Sequence, residues 1–320
     1  MRTSNCTAVT EFLLLGFSDA LGLHILHLAT FLTIYLAALI GNLLVITLIA
    51  VDSYLHTPMY FFLLNLSILD IGSISVIVPK SMANAILNTR LISYSGCVTQ
   101  VFFFLFFLTA DFAILTIMAY DRYIAICKPL HYATVMNKKA CLQMATMAWS
   151  AALLNSALHT GNTFRLPFCH SNIINQFFCE IPQLLRISFS EVFTSEIQII
   201  IFGACLGLVC VAFLFVSYIQ IFTTVPRIPS EQGRHKAVST CLPHLILVAL
   251  LASTVLIAHM KPTSGSPSAL DLMLSVLYSM IPPMMNPVIY SMRNKDIKAA
   301  LWKLLRWKWF IVTKMSVILQ

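Results

Sequence analysis

The sequence predicts an all-α membrane protein: a seven-transmembrane helix bundle with a short amphipathic helix after the seventh span. Three observations lead there. Of 320 residues, 59% are hydrophobic and only 10% charged, with a mean hydropathy of +0.86. A soluble domain carries roughly 25% charged residues, so this chain needs a bilayer as its solvent. Second, long apolar runs cover about 24–50, 58–79, 98–126, 140–160, 196–222, 237–260 and 269–292. Each is near the ~20 residues that carry a helix across ~30 Å of hydrocarbon, and the alternation of a membrane barrel is absent. Third, the basic residues are asymmetric. With the N-terminus outside, six Lys and Arg (Arg2, Lys80, Arg90, Arg165, Arg186, Lys261) fall on the outer side and the other fourteen of twenty, Arg122 to Lys314, on the inner side. That bias sets an extracellular N-terminus and a cytoplasmic C-terminus. The formal charge of +8 is therefore a topology signal; no basic-aromatic module for nucleic acid accompanies it. Residues 1–320 read as one domain: 1–23 extracellular, 24–292 spans and loops, 293–320 cytoplasmic tail.

Taken in order, residues 1–20 lack a basic segment followed by an apolar one, so the first span is expected to serve as the insertion signal. Asn5-Cys6-Thr7 fits the glycosylation sequon on the outer face; Asn65-Leu66-Ser67 also fits but lies inside a span. The first span carries Gly41-Asn42. The second opens at Pro58, suited to a helix first turn, and carries Asn65, Ser67 and Asp70. The third holds Asp111 and ends in Asp121-Arg122-Tyr123, charges that are expensive at the mouth of a membrane helix unless they have a role. The seventh ends in Asn286-Pro287-Val288-Ile289-Tyr290. Four helices thus place Asn42, Asp70, Asp111 and Asn286 at intermediate depth. Two readings stand: polar glue between helices, or a water-filled switch core with room for Na+ near Asp70 and Asp111. Beyond Tyr290, Ile297, Leu301, Leu304 and Leu305 follow helical spacing with lysines opposite, which predicts an amphipathic helix on the inner leaflet.

Of nine cysteines, Cys127, Cys141, Cys205, Cys210 and Cys241 fall in spans or on the reducing side. Cys6, Cys97, Cys169 and Cys179 fall outside, where a bridge can form. A Cys97–Cys179 bond would pin the long 161–195 segment over the bundle; the alternative is that they are unpaired, small apolar residues.

Five stretches carry a resemblance that covers essentially the whole chain: Leu55 to Asp70, Met118 to Tyr132, Ser217-Tyr218, Lys236 to His244 and Pro283 to Leu301. In this order and spacing they resemble the signature set of vertebrate olfactory receptors, tetrapod type, which are rhodopsin-like G-protein-coupled receptors. The resemblance implies a small volatile odorant as ligand, a heterotrimeric stimulatory olfactory G protein as partner, cyclic AMP as output, and display in the plasma membrane of olfactory cilia. It implies a Cys97–Cys179 bridge. It implies that the Asp121 carboxylate holds the Arg122 guanidinium at rest, and that Arg122 turns toward Tyr218 on activation, with Tyr123 beside it. Asn286, Pro287 and Tyr290 match the seventh-helix switch; Lys236 and His244 match the inner end of the sixth helix.

Departures from the family pattern are as informative. The partner position expected for Cys169 is Phe189, which leaves Cys169 free or paired with Cys6. The family's Phe-Tyr-Gly run in the sixth helix is Leu251-Ala252-Ser253 here, so an aromatic hydroxyl is missing at Ala252. Pro243 before His244 is expected to kink the sixth helix, and Asp111 stands where Glu is usual. Counting helical steps back from Arg122 places Phe104, Leu105, Leu108, Thr109 and Phe112 on one outer stripe. Phe202 and Leu206 of the fifth span face it, with Ala252, Val255, Leu256 and His259 of the sixth, and Val276 and Ser279 of the seventh. Such a lining suits a small apolar molecule held by burial and one or two hydrogen bonds, although the same stripe also fits packing or lipid contact. Asp111 lies seven residues inward of Phe104, roughly 10 Å at 1.5 Å per residue; this places it with Asp70, not in an amine pocket. His259 either favours an acidic odorant or caps a helix end.

Other classes fit poorly. No nucleophile–base motif, metal-spaced histidines or paired carboxylates appear in an aqueous segment, so no enzyme and no cofactor are expected. A transporter predicts related halves, which seven unrepeated spans lack. The remaining alternatives are a receptor of the same fold for a non-volatile ligand outside the olfactory epithelium, or a relic that no longer signals.

Overall fold

A computed structural model describes residues 9–15, 21–168, 171–188, 193–260, 269–293 and 297–302. For residues 21–24, 193–200, 202, 243, 255–260, 269–271 and 290–293 it describes the backbone alone. The seven expected runs are helical. They form α1 (Leu21–Val51), α2 (Pro58–Ile86), α3 (Tyr94–Cys127), α5 (Lys138–Thr163), α7 (Phe193–Thr224), α8 (Glu231–Met260) and, for the seventh span, α9 (Ala269–Ser279) followed by α10 (Ile281–Arg293). Two short helices, α4 (Tyr132–Val135) and α6 (Ile181–Ile187), sit in the connections.

Local chemistry sets the helix starts. The Ser93 hydroxyl accepts from the Gly96 N–H at 3.1 Å at the head of α3. The Asn137 amide oxygen accepts from the Ala140 N–H at 2.9 Å at the head of α5, as an N-cap should. Pro58 and Pro282 stand in first turns, where the N–H that proline lacks would have no partner. Among the described residues six helices are long and apolar enough to cross a membrane by length and composition, and α5 is not one of them. Its sequence explains this: Lys138-Lys139 open it, and Asn155, Ser156, Thr160 and Thr163 are buried along its inward side. The sixth helix runs through position 243.

Side chains divide as a bilayer demands. Leu66, Ile74, Ile77, Ile114 and Met118 are fully or almost fully buried in the main core, while Ile40, Leu43, Met147, Leu208 and Phe215 are exposed; in lipid that exposure carries no penalty. A second cluster at the inner end joins Ala119 of the third span to Leu214, Tyr218 and Ile221 of the fifth and Cys241 of the sixth. Residues 297–302 are helical, with Ile297 and Ala300 buried and Lys298 and Trp302 exposed, the two-sided pattern expected of an interfacial helix. Leu304 and Leu305 lie outside the described residues.

The outer end adds an element that the sequence did not announce. Strands β1 (Glu11–Leu14), β2 (Leu91–Ser93) and β3 (Ile173–Ile174) form a small sheet in the order β2-β1-β3. β1 pairs antiparallel with β2, Phe12 opposite Ile92, and parallel with β3, Leu13 opposite Ile173. The N-terminal segment is thereby stitched to both outer loops. Phe12 and Leu14 point into a cluster with Ile92, Phe168, Ile174 and Leu184, and the Phe12 ring meets Phe168 edge-on at 5.5 Å.

Candidate functional site

The third span threads three layers: an outer site under the long loop, a polar layer at mid-depth and a charged layer at the inner end. In the outer layer Cys97 at the head of α3 is disulfide-bonded to Cys179, Cα to Cα 5.6 Å. The loop is then fastened by polar contacts. The Gln100 side-chain oxygen accepts from the Cys179 N–H at 2.8 Å while its amide donates to the Val76 carbonyl at 3.1 Å. The Ser81 hydroxyl donates to the Phe177 carbonyl at 3.1 Å. This lays Phe177 and Phe178 into the bundle as an aromatic roof: Phe178 packs on Phe104 at 5.2 Å, and Phe104 also meets Tyr278 at 6.3 Å.

Beside the roof sits a buried polar group absent from the sequence-based expectations. The Tyr278 hydroxyl donates to the Glu180 carboxylate, and the Gln176 amide donates to the other Glu180 oxygen at 3.1 Å and to the Ser275 hydroxyl. All four residues are buried. An acidic residue directly after a loop cysteine was the available clue; its partner, 98 residues away, was not readable.

The expected lining residues divide as follows. Phe104 is buried beneath the roof, and Leu105, Leu108, Thr109 and Phe112 are half-buried along the third helix. Val276 is half-buried against the main core, and Ser279 is buried with its hydroxyl donating to the Ser275 carbonyl. Leu206, 38% exposed, and Ala252 are on exposed positions. The side chains of Phe202, Val255, Leu256 and His259 lie outside the described residues, as do Asn5, Cys6, Cys169 and Phe189. Of the expected lining, Phe104 of the third helix meets Tyr278 of the seventh span, with Phe178 of the loop against it.

At mid-depth the polar residues meet. The Asn286 amide donates to both Asp70 carboxylate oxygens at 3.0 Å. The Asn42 amide donates to the Ala38 carbonyl at 3.0 Å and the Pro283 carbonyl at 2.9 Å. Gly41 makes this approach feasible: a Cβ there would fall 3.0 Å from the Pro287 Cβ. Asp111 is buried, near enough to Asp70 for their charges to repel. Its Oδ1 has no hydrogen-bond partner, and neither do the side-chain oxygens of Asn42 and Asn286. Unpartnered oxygens beside two carboxyl groups are the donor type that a hard cation takes.

At the inner layer the Tyr132 hydroxyl donates to Asp121 Oδ1 at 2.8 Å, and the Asp121 carboxylate also feels the charge of Arg122. A tyrosine folded back from the following loop is thus a partner of Asp121 that the sequence-based expectation did not include. Burial, then the Asp121 charge and the bond to it, push the Tyr132 phenol above its usual range. Arg122 is only 5% exposed, with Nε unpartnered, and its charge is felt by Tyr218, Cys241 and His244. Tyr218 and His244 share a hydrogen bond through His244 Nδ1. Tyr123 packs half-buried beside them and Lys236 is exposed on the inner end of the sixth helix. The Tyr290 side chain is outside the described residues.

A family model described as olfactory receptor matches residues 31–308. The human olfactory receptor 14A16 (Homo sapiens) is 50% identical over 305 residues, spanning 95% of this chain and 98% of that one. The human olfactory receptor 14I1 is 50% identical over 300 residues, 94% of this chain and 96% of that one. Among solved structures squid rhodopsin superposes with a TM-score of 0.71 at 18% identity, over 91% of this chain and 82% of its own, a likeness of fold. A seven-helix bundle of this kind is a multi-pass plasma-membrane receptor and not an enzyme, and the chain belongs to the olfactory receptor family of rhodopsin-like G-protein-coupled receptors.

Proposed function

We propose that this receptor binds small, mostly apolar volatile molecules beneath the aromatic roof and couples to a stimulatory olfactory-type G protein, raising cyclic AMP, with the N-terminus outside and display on olfactory cilia. One observation carries the reading: a single helix, α3, holds Phe104 under the disulfide-pinned loop, Asp111 in the polar layer and buried Arg122 at the inner end, where its charge reaches Tyr218 and His244. A ligand that wedges between Phe104 and its cover acts on the same rigid element as the charged layer. Apolar burial supplies affinity, about 25 cal/mol per Å² removed from water. Only its difference between resting and active arrangements shifts the equilibrium. Na+ held by Asp70 and Asp111 would stabilise the resting one, since helix rearrangement at mid-depth would separate its ligands.

The test is cyclic AMP output in cells expressing the chain with an olfactory-type G protein and a trafficking factor, across a broad odorant panel, with Arg122→Ala alongside at matched surface level. A dose-dependent response lost in Arg122→Ala supports the reading. A response that survives the substitution refutes the role of Arg122, and silence across the panel despite surface display refutes the odorant reading in favour of a non-volatile ligand or a lost signal.

A further inference from the structure

The fourth span was not counted among the ligand-facing helices, yet it brings an unsatisfied polar group to the stripe that was. Asn155 and His159 are four residues apart and share one face of α5. Asn155 is 6% exposed and its amide donates to the Thr109 hydroxyl across on α3 at 3.2 Å. Its side-chain oxygen is buried without a partner. The next residue shows the contrast: the Ser156 hydroxyl donates to the Phe102 carbonyl at 2.9 Å and is satisfied. Thr109 is incomplete in the complementary sense. Thr30, Thr33, Thr47 and Thr116 each donate their hydroxyl to the carbonyl four residues back at 2.7–2.8 Å. Thr109 receives the Asn155 amide, and among the described residues its own proton goes to no acceptor.

The fifth span completes the cradle with an absence. A Cβ on Gly203 would lie 2.6 Å from His159 Nε2 and 3.7 Å from Asn155 Oδ1. Glycine there lets the imidazole and the amide oxygen share the space between the fourth and fifth helices. The pair Asn155 and Thr109 therefore offers one buried acceptor and one half-buried donor, and leaving a buried polar group unmet is costly.

We infer that Asn155 and Thr109, beside His159 and Gly203, form a subsite for the hydroxyl group of an alcohol ligand. A hydroxyl donates to the Asn155 oxygen and accepts from Thr109 at once. An aldehyde, ketone or ether can only accept and leaves Asn155 unmet. The hydrocarbon part then runs outward past Leu108 and Leu105 toward Phe104. The inference rests on the odorant reading and specifies its ligand class.

The experiment measures cyclic AMP dose–response and surface staining of the full chain for a straight-chain alcohol, its methyl ether and the aldehyde of equal length. The alcohol is expected to be about tenfold more potent than either, the worth of one extra hydrogen bond. Asn155→Leu should lower alcohol potency by about tenfold and leave the ether unchanged, whereas Thr109→Val, which removes the donor both ligands accept from, should lower both, and Thr109→Ser should keep the preference. If Asn155→Leu fails to reach the surface, Asn155→Ala decides. An alcohol no more potent than its ether, or an Asn155 variant that shifts both alike as loss of a buried structural water would, overturns the inference. Leu108→Trp separates this from failure of the wider reading. If it abolishes all three responses while alcohol and ether remain equal in the parent, only the alcohol subsite falls; if it changes none of them, the outer site itself is misplaced.

Discussion

At the scale of single residues, the inner end is governed by which side chain satisfies Asp121. A carboxylate at a membrane helix mouth needs strong donors, and here Tyr132 supplies one from the following loop. A hydrogen bond to a charged group is worth about 1.5–3 kcal/mol, enough to bias a two-state element. Tyr132→Phe is therefore expected to raise ligand-free cyclic AMP at matched surface level; an unchanged basal signal would remove Tyr132 from the switch. Because the folded phenol is raised above its usual range, its proton and the bond persist below that value and are lost only as pH rises through it. The bond should thus be indifferent to pH near neutrality. Asp111 invites a companion prediction. It sits with Asp70 at mid-depth, below the aromatic roof, so Asp111→Asn should alter basal activity more than the ranking of odorants. A selective change in ranking would move it into the ligand site.

Among the elements, the outer cap depends on pairings between distant segments. β1 is only four residues long, and it is held because Phe12 and Leu14 bury against residues of both outer loops. Replacing a fully buried Phe by Ala typically costs ~3–5 kcal/mol, a large share of marginal stability. Phe12→Ala and Cys97→Ser are each expected to reduce surface staining sharply relative to total protein, and normal staining of either would show that the cap folds without it. These elements also mark what the sequence could and could not reveal. The spans were legible because each must hide some twenty residues of backbone in lipid, and Asp70, Asn286 and Asn42 were legible because polar groups there demand partners. The strand β1 was not: four residues are too few to carry a periodicity, and their partners lie about 80 and 160 residues away. Glu180 with Tyr278, and Asn155 with Thr109, escaped for the same reason, and Tyr132 was in plain view within a recognised stretch yet had no stated role.

For the whole molecule, the ordering of layers only signals if the chain is threaded in one direction, and that direction rests on charge. On the orientation proposed above, the fourteen-to-six division of basic residues would put the inner end with Arg122 on the cytoplasmic side, where G proteins reside, and the cap with the disulfide on the oxidising side. The two assignments are independent: one counts lysines and arginines, the other follows from where Cys97 and Cys179 can remain bonded. The proposed orientation satisfies both, and on it Asn5 is expected to carry a glycan. A tag at the N-terminus is therefore expected to stain on intact cells and one at the C-terminus only after permeabilisation. Asn5→Gln should remove a glycosidase-sensitive shift in gel mobility. A C-terminal tag accessible on intact cells would invert the molecule, set the Arg122 layer outside, and defeat the G-protein reading whatever the odorant data showed.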